Sequence, residues 1–352
     1  MGGQPLISDS AQTGRQPLTP RAMRFGFIPT EGGHLAREAL AEVDHGETLG
    51  LDSVWMEEHH GVGGHYWPSP LVVLAGFATR TSRLLLGSDV VVLPFYDPVR
   101  AAEDAAMVDV LSGGRLVFGV AIGYRPDEFA LYRTPLEKRG ARFEEALAVI
   151  RALWTEDGVT LPGPHYPLRD ARIEPKPVQH PHPPIWIGGW GELMIRRAAR
   201  LADAWVPGPT AHLEKLLDGK ARYQAELRAA GRPDPAEWPL TRDTVIAETD
   251  AEALDLAERH LLVNYRDEYG GGRWKHPLIG AEDATPVDQL DALGRDRVII
   301  GGPERCRAQV RRFIEAFGAT HVIFRLYFPG MSHRHILREL ELLAREVVPA
   351  FR

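Results

Sequence analysis

LLLGSDVVVLPFYDPVRAAEDAAMVDVLSGGRLVFGVAIG, residues 84–123, decides the fold. LLLGSDVVVLP (84–94) is an apolar run rich in β-branched residues, the composition of a buried strand. DPVRAAEDAAMVDVLSGG (97–114) reads as a helix with Pro98 in its first turn, where no N–H is needed. RLVFGVAIG (115–123) is apolar again. Two strands joined through a crossover helix run parallel, and a parallel sheet needs helices to cover it.

The same alternation extends in both directions. Upstream, MRFGFIP (23–29) reads as a strand, HLAREALAEVDHGETLG (34–50) as a helix closed by Gly50, LDSVWM (51–56) as a strand and SPLVVLAGFATRT (69–81) as a helix. Downstream, Phe143, Leu147, Ile150 and Trp154 share one helical face. Residues 155–184 hold eight prolines and little periodicity, so they read as an excursion across the surface. PIWIGG, DAWVPG, TVIAET, VIIGG and HVIFRLYF then read as strands separated by helices. Roughly eight strand–helix units with no linker composition predict one (β/α)8 barrel over residues 23–352. Residues 1–22 read as a disordered N-terminal extension, and 265–300, with three consecutive glycines, as a mobile lid over the barrel mouth.

Bulk composition narrows the function. A net charge of −7 carries no electrostatic footprint for nucleic acid or an anionic membrane. A single cysteine, Cys306, excludes a disulfide framework. No apolar run approaches the ~20 residues of a membrane span, and no signal-peptide core is present, so a cytoplasmic protein is expected. The first strand runs into PTEGGH rather than a G-x-G-x-x-G turn, which argues against a dinucleotide-binding domain.

In a parallel barrel the functional groups collect at the C-terminal ends of the strands. WMEEHH (55–60) places Glu57, Glu58, His59 and His60 there. His59 is either a general acid–base group, with an ordinary pKa of about 6.5, or a histidine simply hydrogen-bonded at a strand end. GGWGE (188–192) enters a helix whose free first-turn N–H groups could hold a phosphate, though such glycines also serve plain tight turns. His59 and His60 are adjacent and point apart, and the pairs His333/His335 and His180/His182 lie away from the early strands, so no metal site is expected. Aromatic residues near the mouth (Trp67, Phe95, Tyr96, Tyr124, Trp190, Trp274, Phe328) suggest either a roomy apolar substrate pocket or, equally, loop packing.

LGLDSVWMEEHH, the LP-x3-P-V-R segment with LSGGR before G-x3-G, RFEEALAVIRALW and PIWIGGWGELMIRRAARLADAW together resemble the bacterial luciferase-like monooxygenase family, in order from about residue 23 to 350. The resemblance implies a (β/α)8 barrel, usually a homodimer, that binds reduced flavin at its strand ends. It assigns His59 to proton handling and Glu58 to the cofactor environment. A non-proline cis peptide under the flavin ring falls on Asp89–Val90. Gly123, Gly189, Trp190, Gly191 and, in the helix that follows, Met194 fall on the cofactor's surroundings, and Trp67, Tyr96, Tyr124 and Phe328 on the substrate pocket. The sequence departs from bacterial luciferase where Ile122 replaces a phosphate-contacting arginine, Ala121 replaces a reactive cysteine, and Asp89 stands where small neutral residues are usual. Arg125 is the expected substitute for the missing arginine.

The implied activity is a two-component monooxygenase using reduced FMN and O2, through a C4a-peroxyflavin, on a small apolar organic substrate, with a separate flavin reductase. The alternative is a coenzyme F420-dependent oxidoreductase that transfers hydride. A non-catalytic flavin-binding protein is the third reading.

Overall fold

The computed structural model describes residues 23–32, 34–61, 66–270 and 289–352. The expected N-terminal extension and Trp274 lie outside these residues. Eight parallel strands form the barrel: β1 (Arg24–Ile28), β2 (Ser53–Met56), β3 (Leu85–Ser88), β4 (Leu116–Ala121), β5 (Ile185–Gly188), β6 (Ala204–Val206), β7 (Pro239–Ile246) and β8 (His321–Arg325). Hydrogen-bonded neighbours run β7–β8–β1–β2–β3–β4–β5–β6, and the two ends of that row lie side by side. Ile299–Gly301 pairs with Thr244–Ile246 and lengthens one edge of β7.

Helices surround this barrel for the reasons the sequence gives. In Pro98–Ser112 the Asp97 side chain caps the N–H groups of Val99 and Arg100, and Gly113 ends the helix at φ 68°. Arg115, the last residue of LSGGR, spreads its guanidinium over the carbonyl oxygens of Ala78, Thr81, Leu84 and Ser112. That motif therefore ties a helix to the sheet.

The barrel interior is filled by Trp55 and Trp186, stacked with ring centroids 4.7 Å apart. Glycines on neighbouring strands make the space. A Cβ on Gly87 would lie 2.1 Å from the Trp55 ring, and one on Gly26 would lie 2.0 Å from Ser53 Oγ. His321 stands edge-on to both indoles, within 2.7 Å of Ser53 Oγ through Nε2 and 3.2 Å of Glu237 through Nδ1. Glu237 in turn accepts from Arg24 at 2.6 Å. The base of the barrel is thus polar, buried and fully paired.

Three expectations need adjustment. The stretch 155–184 contains an antiparallel hairpin, Val159–Leu161 with Leu168–Ala171, whose strands of three and four residues are too short for an apolar alternation to show. The strand expected at TVIAET begins earlier, at Pro239. Within the expected lid, Arg266–Gly270 is helical, Leu290–Gly294 is a helix and Ile299–Gly301 a strand, while 271–288 lie outside the described residues. Among the described residues no helix is long and apolar enough to cross a membrane.

Candidate active site

The last residues of β2 and the loop after it alternate between two environments. His59 directs Nδ1 to Glu128 Oε1 at 2.9 Å, and Glu128 also accepts the His60 backbone N–H at 2.9 Å. Glu128 comes from the short helix Pro126–Leu131 beyond β4. Burial pushes its carboxyl up, but the bonds from His59 and His60 and the Arg125 guanidinium 3.7 Å away hold it below the usual carboxylate range. An ionised Glu128 accepts only, so His59 carries a proton on Nδ1. The His59 side chain keeps 18% of its surface exposed, and its other nitrogen, Nε2, has no partner among the described residues. An oriented imidazole with one open nitrogen is the arrangement a general acid–base group needs.

Glu58 and His60 face inward. Glu58 accepts from Val92 N at 2.7 Å, Tyr96 Oη at 2.9 Å and His60 Nε2 at 2.7 Å, while His60 Nδ1 meets Tyr132 Oη at 2.9 Å. Burial and the Glu58 carboxylate raise the Tyr96 phenol, which keeps it a donor. Because Val92 follows Val90 by two residues, Glu58 anchors the segment that carries the Asp89–Val90 bond, which is cis.

Asp89, Glu57, Glu31, Asp243 and Glu268 gather around Arg325 at the end of β8. Arg325 Nε lies 2.8 Å from Glu57, as an ion pair rather than an aligned hydrogen bond, and Nη1 donates to Asp243 at 3.1 Å. Its Nη2 donates to Tyr66 Oη at 2.9 Å, and that hydroxyl donates to Glu268 at 2.9 Å. The Tyr66 ring stands edge-on to His59, centroids 4.6 Å apart. Thr241 on β7 donates to Asp89 at 2.5 Å. Burial pushes Asp89 up to about 6 against the pull of Thr241 and Arg325. Burial also takes Glu57 up to about 7, with Arg325 opposing and Asp89, Asp243 and Glu268 adding to the rise.

The other half of the mouth is small and neutral. Val90 packs on the interior cluster that includes Trp55, Trp186 and Val206. Gly123 sits at φ 71°, where a Cβ would meet Val92 at 2.6 Å. After β5, Gly189 and Gly191 take φ 117° and 93°. Gly191 opens the helix Glu192–Leu201 with no side-chain cap and no atom within 4 Å of where its Cβ would be. The buried Trp190 Nε1–H, 3.6 Å from where a Cβ on Gly208 would lie, has no acceptor among the described residues. Uncapped first-turn N–H groups, an orphaned indole N–H and open space suit the phosphate and side chain of a flavin or deazaflavin. Met194 is buried one turn into that helix.

Other expected site residues fall as follows. Tyr124 is 39% exposed and edge-on to His59 at 6.1 Å. Trp67 and Phe328 are buried, Phe328 lying 5.3 Å under Arg325, and Tyr96 commits its hydroxyl to Glu58. Arg125 is buried, with its guanidinium 3.7 Å from Glu128. Sequence reading missed Glu128, Tyr66, Glu31 and Asp243. The one available signal was Pro126, which marks a helix start and so fixes where Glu128 falls.

A parallel barrel with an oriented histidine at one strand end and a glycine-rich, uncapped helix start across the mouth carries its polar groups where barrel enzymes build their sites. The sequence profile described as luciferase-like monooxygenase matches residues 23–321, and the chain belongs to that family. It is 27% identical to the F420-dependent glucose-6-phosphate dehydrogenase of Amycolatopsis mediterranei, covering 94% of this chain and 99% of the relative. It is also 27% identical to the oxygenase component of the flavin-dependent trigonelline monooxygenase of Acinetobacter baylyi, over 86% of each. Among solved structures, monooxygenase RslO1 of Streptomyces bottropensis superposes with a TM-score of 0.80 at 25% identity, over 94% of this chain and 100% of that one. The family thus holds oxidoreductases of both flavin and F420 type.

Proposed function

We propose that this protein is a flavin-dependent monooxygenase that uses reduced FMN and O2 to oxygenate a small organic substrate, with the reduced flavin delivered by a separate reductase. The observation that carries the reading is His59, held by Glu128 through Nδ1 with Nε2 open. Its neighbour across the mouth, the uncapped start of Glu192–Leu201, would hold the FMN phosphate through backbone N–H groups. Bound reduced flavin supplies the oxygen-activating chemistry. The protein's share would be to hold it at the mouth, to exclude water, and to move a proton at His59 Nε2.

The F420 reading is kept alive by the glucose-6-phosphate dehydrogenase relatives. Against that particular substrate stands the charge of the mouth. Glu31, Glu57, Asp89, Asp243 and Glu268 surround Arg325, whose guanidinium is already committed to Glu57, Asp243 and Tyr66. Among the described residues this is a poor seat for a sugar phosphate. Mixing the protein with reduced FMN and with reduced F420, with and without O2, separates the readings. Monooxygenase action predicts an oxygen-dependent absorbance change of bound FMN that outlasts oxidation of free reduced FMN. Binding of F420 alone, indifferent to O2, would overturn it.

A further inference from the structure

The hydrogen bond to Glu128 fixes Nδ1 of His59 but leaves the imidazole plane free to rock about that point. A second contact reaches the ring itself. The buried Tyr66 stands edge-on to it, with centroids 4.6 Å apart and planes at 71°. Tyr124, the other ring at His59, lies farther off at 6.1 Å and is the more exposed of the two. Tyr66 is held at both hydroxyl and ring. Arg325 Nη2 donates to the hydroxyl at 2.9 Å, the hydroxyl donates to Glu268 at 2.9 Å, and the guanidinium carbon lies 5.8 Å from the ring centroid. Burial raises the phenol well above its ordinary range, so it keeps the proton that Glu268 receives.

The two groups that hold Tyr66 come from different elements. Arg325 ends β8 and is itself fixed, with Nε 2.8 Å from Glu57 after β2 and Nη1 donating to Asp243 of β7 at 3.1 Å. Glu268 lies in Arg266–Gly270, which continues the helix Leu262–Tyr265. That helical stretch is docked at a second point, where Tyr265 donates its hydroxyl to Asp243.

We propose that Tyr66 is a positioning residue for His59, and that its grip depends on Glu268, so that the docked helical stretch completes the acid–base site. The inference rests on the reading of His59 as the acid–base group. With its one proton given to Glu268 and its oxygen taking the Arg325 N–H, the Tyr66 hydroxyl has no proton to offer a substrate. Its task is to hold the phenol ring against the imidazole. Loss of the Glu268 bond frees the phenol to turn, and the imidazole then samples orientations unsuited to proton transfer.

The test compares Tyr66→Phe, Glu268→Ala and Glu268→Gln in the full chain. The first keeps the ring and loses both hydroxyl bonds, the second loses the acceptor, and the third keeps an acceptor oxygen. Reduced FMN should bind all three as it binds the wild-type protein. The oxygen-dependent absorbance change of bound FMN should slow about tenfold in Tyr66→Phe and in Glu268→Ala, and recover in Glu268→Gln. Combining Tyr66→Phe with Glu268→Ala should slow it no further than Tyr66→Phe alone, because both break one chain of contacts. NMR of the His59 ring protons reads the same contact without any turnover. Those signals should move in Tyr66→Phe and Glu268→Ala and return in Glu268→Gln. A purely structural Tyr66 would lower the melting temperature while leaving the His59 signals and the FMN trace of the folded fraction unchanged, and that result would overturn the proposal. Glu268→Gln as impaired as Glu268→Ala would overturn it too. Should Tyr66→Phe fail to fold, the two Glu268 variants decide. Failure of the acid–base reading would show elsewhere, as an undiminished FMN trace in His59→Ala, with the NMR arm still reporting on Tyr66.

Discussion

Two histidine–carboxylate pairs, His321–Glu237 at the base of the barrel and His59–Glu128 at the mouth, differ in what surrounds them. At the base, His321 is completely buried, with Ser53 and Glu237 taking both ring nitrogens and two tryptophans flanking its ring. At the mouth, His59 has one nitrogen on Glu128 and the other open. On the proposed reading the same two functional groups serve packing at the N-terminal ends of the strands and proton transfer at the C-terminal ends. The glycines differ in the same way. Gly26 and Gly87 admit the Trp55 side chain and its Ser53 partner, whereas Gly189 and Gly191 allow a positive-φ turn into an uncapped helix start.

Substitutions at each end should separate these roles. His59→Ala should lower turnover by roughly 10²–10⁴-fold, the usual worth of a general acid–base group, with FMN affinity retained by fluorescence titration. Glu128→Gln removes a charged hydrogen bond worth about 1.5–3 kcal/mol, so the melting temperature should fall, and turnover of the folded fraction should fall roughly tenfold to a hundredfold as His59 loses its orientation. At the base the pattern should invert. Gly87→Ala forces a methyl onto a ring already stacked on Trp186, and should cost about 1–3 kcal/mol in denaturant unfolding while the folded fraction keeps its turnover. His321→Ala leaves Ser53 and Glu237 without their shared partner and should cost about 1–3 kcal/mol, again without a catalytic signature.

The smallest effect concerns pH. Glu57 and Asp89 have folded-state values raised above their ordinary 4.5 and 3.8, to about 7 and about 6. Raised carboxyl values mean that the folded state binds more protons than the unfolded one. Their contribution is complete below the ordinary carboxyl range and is lost as pH rises through 6 and 7. The melting temperature should therefore decline over that interval, and Glu57→Gln should flatten the upper part of the decline. A slope unchanged by the substitution would remove Glu57 from the ledger of titrating groups.

Much of the architecture was legible because apolar runs and amphipathic helices carry the barrel in local sequence. WMEEHH could be placed at a strand end for the same reason. Glu128 could not, since its contact with His59 spans 69 residues and depends on the turn that Pro126 begins. Glu31 lay in PTEGGH, a stretch informative only for lacking a dinucleotide turn. Asp243 sits on a strand where alternation is hidden, because every residue of Pro239–Ile246 is buried. The hairpin of 159–171 escaped because strands of three and four residues are too short to establish a period. Arg115 shows the converse, a residue within a highly specific motif whose contacts are all structural.

The contrast between the two histidines is tested most directly by comparing His59→Ala and His321→Ala side by side, each loaded with reduced FMN and mixed with O2 in a stopped-flow spectrometer. The account predicts that folded His321→Ala reproduces the wild-type oxygen-dependent absorbance trace. His59→Ala should bind FMN as tightly as the wild-type protein but lose that trace. A wild-type trace from His59→Ala would contradict the assignment of proton handling to the mouth histidine.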